Sequence, residues 1–508
     1  MRRTRRLREL LQCAGVVPLS CATPPELIID DLVDDSRAVT RGSCFVAVRG
    51  TGADGHGFVR QAVEHGAAAV VVESDIDAEA LGAAFVVRVG DSRAALARLA
   101  ATWFGINETD ERPLRLIGVT GTNGKTTITW MIRSILQAAG VPTALLGTIE
   151  YDLVGARRGA PLTTPGSLEL CRMLSEARHG GAEYAALEVS SHALDQRRCD
   201  GLTFAAGVFT NLTGDHLDYH GSMDAYFSAK RRLFEGLGGH AAAIVNADDA
   251  YGDRAAERLE ATVTRYGIDS RDADVRAKAV AVDRTGTRFV LQARTFESPV
   301  SMALVGRHNV LNALAAAATT EALGIRAGAI RAGLERMDGV PGRLQRVESA
   351  WCRFSVLVDY AHTDDALRNV LRAVRPLTSG RVICVFGCGG DRDRTKRPRM
   401  ARVVGEMADA AFVTSDNPRT EEPMRIIQEI LAGFDSSSGC RVEVEADRRA
   451  AIREAIHSAR PGDTVLIAGK GHETYQLVGG KVLEFDDAEV AREALADMEV
   501  TRMVEGAA

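Results

Sequence analysis

The stretch Leu116-Ile-Gly-Val-Thr-Gly-Thr-Asn-Gly-Lys-Thr-Thr127 decides how this chain folds. Leu116 to Thr120 is a short apolar run and reads as a strand. After it, Ile128, Met131, Ile132, Ile135 and Leu136 recur at helical spacing until Gly140 and Pro142 end the run. Strand, glycine turn and helix in that order form a phosphate loop. Gly121 and Gly124 let backbone N–H groups turn toward a polyphosphate, and the helix N-terminus adds a favourable dipole. Lys125 is placed to reach the β- and γ-phosphates, and the Thr126 hydroxyl to hold Mg²⁺. The form is the short Gly-x-x-Gly-Lys-Thr, because Val119 stands where the common eight-residue pattern needs glycine. A glycine turn that only opened a helix would not require Lys125 and Thr126 at these places.

Working outward, further short apolar runs alternate with helical stretches. They are Cys44–Val48, Ala67–Val72, Tyr184–Glu188, Ala206–Thr210, Ala241–Asn246, Ser355–Asp359, Val382–Phe386, Ala411–Thr414 and Thr464–Ala468. This alternation predicts an α/β fold with mostly parallel sheets. In such sheets ligands gather beyond the carboxyl ends of the strands. The 508 residues suggest three domains at about 150 residues each. Breaks at Glu111-Arg-Pro113 and at Met337-Asp-Gly-Val-Pro-Gly342 set the expected boundaries. They give a smaller N-terminal α/β domain (1–111), a central phosphate-loop ATPase-like domain (112–340) and a C-terminal Rossmann-like domain (341–508).

Composition narrows the function classes. A net charge of −6 gives no electrostatic footprint for nucleic acid, so an acidic ligand would need local arginine, lysine or metal. The nine cysteines are scattered without a Cys-x-x-Cys pair, which reads as reduced thiols rather than a zinc site or disulfide framework. No window approaches the roughly 18 apolar residues of a membrane span. The basic start, Met1-Arg-Arg-Thr-Arg-Arg-Leu-Arg, precedes a short run broken by Gln12 and Gly15. It reads as an amphipathic first helix rather than a signal peptide.

Two more segments fall where a phosphate-loop fold holds its metal. Leu187-Glu-Val-Ser-Ser-His192 places Glu188 at a strand end, and Thr210-Asn-Leu-Thr-Gly-Asp-His-Leu-Asp218 brings Asp215, His216 and Asp218, with His220 close behind. Glu188 with Thr126 is an oxygen pair suited to Mg²⁺. Alone, a strand-end Glu188 reads more often as a solvated charge or helix cap, and the histidine-rich loop as a hydrogen-bonded turn. Proximity to the phosphate loop favours the metal.

Taken together these segments resemble the Mur ligase family. The resemblance also rests on Gly306-Arg-His-Asn-Val-Leu-Asn312, Gly339-Val-Pro-Gly-Arg343 and Val358-Asp-Tyr-Ala-His362, and it covers nearly the whole chain. Within the family the likeness is to the branch that adds diaminopimelate or lysine. That narrower likeness rests on Asp35-Ser-Arg37, Thr163-Thr-Pro165, Gly387-Cys-Gly-Gly-Asp-Arg-Asp393, Ser415-Asp-Asn-Pro-Arg419 and Gly469-Lys-Gly-His-Glu473.

The resemblance implies ATP-dependent amide-bond formation in cytoplasmic peptidoglycan precursor synthesis, by a monomer with no nucleic-acid partner and no membrane span. ATP would meet Gly121, Thr122, Asn123, Gly124, Lys125, Thr126, Thr127, Asn312, Arg343 and Asp359. A UDP-linked muramoyl dipeptide would meet Ser36, Thr51, Gly52, Ala53, Thr163, Thr164, Ser190, Gln196 and Arg198. Mg²⁺ would be held by Thr126, Glu188 and His216, with Lys230 as a carbamate. Lys125, Lys230 and His216 would serve the chemistry. Carbamylation turns a cation that repels Mg²⁺ into an anion that attracts it.

Diaminopimelate would meet Arg392, Asp416, Asn417, Pro418, Arg419, Gly469 and Glu473. Arg419 suits a bidentate grip on a carboxylate that lysine lacks, so meso-diaminopimelate is the expected amino acid, with lysine the alternative. The competing reading of Arg419 is an internal salt bridge to Glu421 or Glu422. Asp364, Arg41 and Leu162 depart from the family pattern and put their loops in question, not the reaction. A folate polyglutamylating relative is disfavoured by Asp35-Ser-Arg37. A nucleotide switch would have no use for an arginine-bearing third-substrate loop.

Overall fold

The computed structural model describes residues 4–19, 26–50, 52–76, 81–82, 84–107, 113–349, 351–435 and 437–506, with side chains to residue 499. The expected first helix is present as Leu7–Cys13 and buries Leu7, Leu10 and Leu11. It lies beside a four-stranded parallel sheet of Asp31–Val33, Ser43–Val46, Ala69–Val72 and Phe85–Arg88.

The central sheet has eleven strands. Its middle is parallel, in the order Thr143–Leu146, Tyr184–Glu188, Arg115–Thr120, Phe204–Phe209, Ala242–Asn246 and Thr262–Gly267. Apart from Thr262–Gly267, these strands are buried on both faces, which is why they appear in the sequence as apolar runs. One face is covered by the helices Lys125–Ala138, Arg307–Ala322 and Ala327–Glu335. Arg307–Ala322 buries Ala313 and Ala315 to Ala318, and those small side chains allow a close approach. The other face carries Ser167–His179 and Met223–Glu235, and its core is continuous with that of the first 106 residues.

Both edges depart from the parallel pattern. Glu150–Asp152 and Arg157–Gly159 add an antiparallel hairpin at one side. Val275–Asp283, Gly286–Gln292 and Glu297–Met302 add an antiparallel meander at the other.

A third sheet orders Gln345–Val347, Ser355–Asp359, Thr464–Ala468, Val382–Phe386, Ala410–Val413 and Arg441–Val444. All its pairings are parallel except the first. A hairpin, Tyr475–Val478 with Lys481–Glu484, projects from it. Asp364, where proline was expected, opens the helix Asp364–Val374 behind a Thr363 cap that accepts from Ala366 N at 3.2 Å. An acidic residue at the first helical position complements the dipole, so the loop keeps a regular entry. Leu162 is exposed, and its carbonyl accepts from the Tyr151 hydroxyl.

Candidate active site

The phosphate loop sits at the carboxyl end of Arg115–Thr120, between two parallel neighbours. The next strand's loop fixes its shape. Thr122 N donates to Asn211 O (2.9 Å), Asn123 N to Asn211 Oδ1 (2.9 Å), and the Thr210 hydroxyl to Asn123 O (2.6 Å). Glycine is obligatory at 121, where φ is +146° and a Cβ would lie 1.8 Å from Thr210 Oγ1. At Gly124, φ is +90° and a Cβ would lie 2.6 Å from Asn312 Oδ1. The Asn312 amide therefore stands directly over the loop.

Lys125 Nζ donates to the carbonyls of Gly121 (2.9 Å) and Thr122 (2.8 Å). Desolvation holds its pKa below the usual lysine range, with Glu188 and Asp215 opposing. The strand-end Glu188 is 1 % exposed. Its carboxylate accepts from the hydroxyls of Thr126 and Thr148 (2.9 Å each) and from Thr148 N (2.8 Å).

Lys230 is also 1 % exposed, on the helix Met223–Glu235. Its Nζ donates to Gly121 O at 2.8 Å and lies 4.3 Å from the centre of the Tyr226 ring. Burial and then the nearby charge of Lys125 drive its pKa well below the lysine value, against the pull of Asp215. His216 has a left-handed backbone (φ 54°) that turns it into the cleft beside Asp215. Its imidazole is held low by desolvation despite Asp215, so it is neutral near pH 7. Asp218 is exposed, and the His220 ring contacts the Ser191 hydroxyl at 3.0 Å, so neither joins the cleft.

Among the described residues no three His, Cys, Asp or Glu side chains converge as a protein-only metal cage. The donors present are instead oxygens grouped beside a phosphate loop. That chemistry fits Mg²⁺ bound through a carboxylate, a hydroxyl and substrate phosphates.

The loop from Thr122 onward, with Glu188 and His216, lines a cavity of about 720 Å³ that the C-terminal sheet closes from above, and neither Gly121 nor Lys230 is part of its wall. Thr122, Asn123, Gly124, Lys125, Thr126, Thr127, Glu188, His216, Asn312, Arg343 and Asp359 all face it. Arg343 Nη2 donates to Thr126 Oγ1 (3.1 Å), and its guanidinium lies 4.4 Å from the Tyr360 ring centre. Both Asp359 oxygens accept backbone N–H groups, from Leu344 (2.6 Å) and Ala361 (2.8 Å). Asp359 therefore shapes the crossover between lobes as well as lining the cleft.

The residues expected at the dipeptide form one hydrogen-bonded chain. The Thr163 hydroxyl meets that of Thr148 (3.1 Å), and Thr164 Oγ1 donates to Glu188 O (2.8 Å) and accepts from Ser190 N (3.0 Å). Arg198 donates to Thr164 O (2.7 Å) and Gln196 Oε1 (2.8 Å). Thr163 and Ser190 reach the cavity wall. Ser36, Gly52 and Ala53 are not part of that wall. Ser36 is buried and donates to Gln61 Oε1 (2.9 Å), and Gly52 and Ala53 are exposed. Thr51 lies outside the described residues.

A second cluster lies at the carboxyl ends of the C-terminal strands. Arg419 (φ 54°) pairs by its backbone with Leu477 and Gly479, which seats the Asp416-Asn-Pro-Arg419 loop on the projecting hairpin. Its guanidinium donates to two carbonyls, Gly390 (2.7 Å) and Asn417 (3.4 Å). Neither acid suspected of neutralising it does so. Glu421 is held by Arg397 (2.7 Å), and Glu422 caps Pro423–Leu431 through Met424 N and Arg425 N. Among the described residues Arg419 has no carboxylate partner.

Arg392 is exposed and flanks Gly389 as Arg419 does. Asn417 Nδ2 donates to Glu473 Oε2 at 2.8 Å. Asp416 is buried, held ionised against desolvation by Lys470 and Arg448, and pressed by Gly469, whose Cβ would lie 2.6 Å from it. Pro418 is buried between these groups. The sequence reading missed Thr148, Asn211, Tyr226, Asp365 and Lys470. Lys470 stood inside a quoted motif, and Thr148 follows a glycine at a strand end, so both carried a usable signal.

A parallel sheet ending in this loop, an oxygen pair beside it and a lobe closing above define a phosphate-loop, nucleotide-using enzyme. Family models described as "Mur ligase family, catalytic domain", "Mur ligase middle domain" and "Mur ligase, glutamate ligase domain" match residues 32–104, 119–320 and 342–471. The UDP-N-acetylmuramoyl-L-alanyl-D-glutamate–2,6-diaminopimelate ligase of Solibacter usitatus is 47 % identical over 93 % of this chain and 95 % of its own. The protein of that name from Gloeobacter violaceus is 46 % identical over 97 % and 98 %. A solved structure bearing the same name covers 98 % of this chain and 100 % of its own, at 34 % identity and a TM-score of 0.70. The MurF ligase of Thermotoga maritima in complex with ADP shares the fold at a TM-score of 0.60 and 18 % identity, over 92 % and 96 %. The chain belongs to the Mur ligase family, and its class is that of an ATP-dependent, amide-bond-forming ligase.

Proposed function

We propose that this chain joins meso-diaminopimelate to the D-glutamate of UDP-N-acetylmuramoyl-L-alanyl-D-glutamate, with ATP converted to ADP and phosphate. The carrying observation is a single cleft that gathers the phosphate loop, the Thr126–Glu188 oxygen pair and Arg343 beneath a lobe bearing a guanidinium that has no carboxylate partner among the described residues. The names of the close relatives agree with this reading.

In this reading the D-glutamate carboxylate takes the γ-phosphoryl group of ATP. The diaminopimelate amine attacks the acyl phosphate, and the tetrahedral adduct expels phosphate to leave the amide. The protein's contribution is position and charge. Loop amides and Lys125 hold the phosphates. Asn312, Arg343 and Asp359 frame the nucleotide, while Thr163, Thr164, Ser190, Gln196 and Arg198 orient the dipeptide. The N-terminal lobe, with Ser36, Thr51, Gly52 and Ala53, receives the UDP end. Mg²⁺ at Thr126 and Glu188, with a second ion toward His216 and a carbamate on Lys230, would supply further neutralisation of the transferring group. Three domains, 1–111, 112–340 and 341–508, divide these tasks. The enzyme works as a cytoplasmic monomer.

Arg419, with Arg392 nearby, reads the distal carboxylate, and Glu473 takes an ammonium. Lysine would leave the half-buried Arg419 guanidinium without a carboxylate to grip, a loss that reaches orders of magnitude if the lobe closes over it. The test is a ligation assay with diaminopimelate stereoisomers and lysine, on wild type and Arg419→Ala. Meso-diaminopimelate should exceed lysine by at least about 100-fold in kcat/KM. Arg419→Ala should lose most of that preference with ATP affinity kept. Equal use of both amino acids by the wild type would overturn the assignment.

A further inference from the structure

Asn417, Glu473 and Arg419 were picked out as substrate contacts, yet the atom that organises them belongs to another residue. Lys470 has a fully buried side chain, and its Nζ donates to Asn417 Oδ1 and Glu473 Oε2 at 3.1 Å each. Asn417 Oδ1 also accepts Leu477 N at 2.9 Å, so both lone pairs of that oxygen are used. Asn417 Nδ2 spends one hydrogen on Glu473 Oε2 and keeps one to offer. Glu473 Oε1 takes no hydrogen bond from the described residues.

The glycines on either side explain how an ammonium reaches this place. Gly469 (φ +116°) and Gly471 (φ +57°) adopt backbone that other residues resist. A Cβ at 469 would lie 2.6 Å from Asp416 Oδ2, and one at 471 would lie 2.7 Å from Tyr360 Cβ. Gly-Lys-Gly thus lets the chain turn tightly and sends only the lysine inward.

Charge adds a second observation. Arg448 is matched by Asp487, at 2.7 and 2.8 Å, both fully buried. Asp416 and Glu473 then share the single ammonium of Lys470, and the remaining cation of the cluster, Arg419, lies on the Gly390 and Asn417 carbonyls rather than on either acid.

We propose that Lys470 is the positioning residue that sets the polarity of the amino-acid pocket. It locks the Asn417 amide and one Glu473 oxygen, so that Glu473 Oε1 faces an incoming ammonium while Asn417 Nδ2 and Arg419 face its carboxylate. This rests on the ligase reading and deepens it. The pocket recognises an intact amino-acid zwitterion, the end of a diamino dicarboxylic acid that does not react.

The test is steady-state kinetics of Lys470→Met, Glu473→Gln and the double variant, with ATP, dipeptide and diaminopimelate varied in turn. Lys470→Met should raise KM for diaminopimelate at least about 30-fold, with KM for ATP and dipeptide within about twofold. Because Lys470 acts through Glu473, the double variant should exceed Glu473→Gln by less than about threefold. Full additivity, or equal rises in all three constants, would mark Lys470 as structural only and overturn the proposal. ADP-induced thermal stabilisation reports folding. If Lys470→Met lacks it, Asn417→Ala must give the same selective rise in KM, and an unchanged KM there rejects the proposal. A wild type inert with every amino acid would fail the ligase reading itself, and this inference with it.

Discussion

Lys230 and Lys125 both place an ammonium on the carbonyl of Gly121, at 2.8 and 2.9 Å. Two cations so near each other in a desolvated pocket favour loss of a proton, and Lys230, the more buried, is pushed well down. An unprotonated amine is the form that reacts with CO₂, so the site favours the carbamate proposed above. Lys230→Ala should cut the ligation rate by at least about 100-fold, partly restored by added formate or acetate, as read by phosphate release. Full activity in the variant would remove the carbamate from the mechanism. At this scale the sequence was legible wherever a residue's type limits its use: Lys125, Thr126 and Glu188 reach the loop, as does Lys230, which only the family resemblance singled out. Asn211 was not, because its value comes from a neighbouring strand's register. Lys470 could be seen but not its direction, since lysine is ordinarily a surface residue and only the tight flanking glycines turn it inward.

Strand ends, rather than whole strands, carry the chemistry. Glu188 closes Tyr184–Glu188, the loop follows Arg115–Thr120, and Asp359 closes Ser355–Asp359. Parallel strands buried on both faces announce themselves as apolar runs, so these ends were readable. The meander Val275–Met302 was not. Its first strand exposes five consecutive residues from Lys278 to Val282 and bulges at Ala279 (φ 50°), so no clean alternation survives. The strand Thr143–Leu146 offers an element-level test, because the turn behind it presses on Glu188. A Cβ on Gly147 would lie 2.2 Å from Glu188 Oε1. Gly147→Ala should displace that carboxylate from Thr126 and Thr148, at a cost of about 1–3 kcal/mol to the local packing. The expected readout is a higher Mg²⁺ concentration for half-maximal activity, by about tenfold or more, with the fold intact by circular dichroism. An unchanged Mg²⁺ requirement would mean that Glu188 tolerates the shift and is not the ligand proposed.

Across the whole molecule, the hydrogen bonds that tie the C-terminal lobe to the central one include, among the described residues, three sets that differ in what they grip. Arg343 reaches Thr126 (3.1 Å), Asp365 accepts from Asn123 Nδ2 (2.9 Å) and the Thr213 hydroxyl (3.2 Å), and Arg284 donates to Leu377 O and Ser379 Oγ (2.9 Å each). Two of the three grip the phosphate loop or the loop beside it, whereas Arg284 joins the lobes at an exposed hairpin tip. Closure at the loop has a chemical purpose in the proposed reaction, because an acyl phosphate is hydrolysed if water reaches it before the amine does. The two kinds of tie should therefore differ in what they protect. Asp365→Ala removes an acceptor from Asn123 and Thr213 at once and should loosen the lid over the intermediate. Phosphate released per tripeptide formed should rise from one in the wild type to about two or more, with kcat falling by about tenfold. Arg284→Ala, which loses two exposed hydrogen bonds of small net worth, should keep the ratio at one. If Asp365→Ala also holds the ratio at one with kcat unchanged, the contact beside the loop is only a packing contact, and the exclusion of water must be sought elsewhere in the lid.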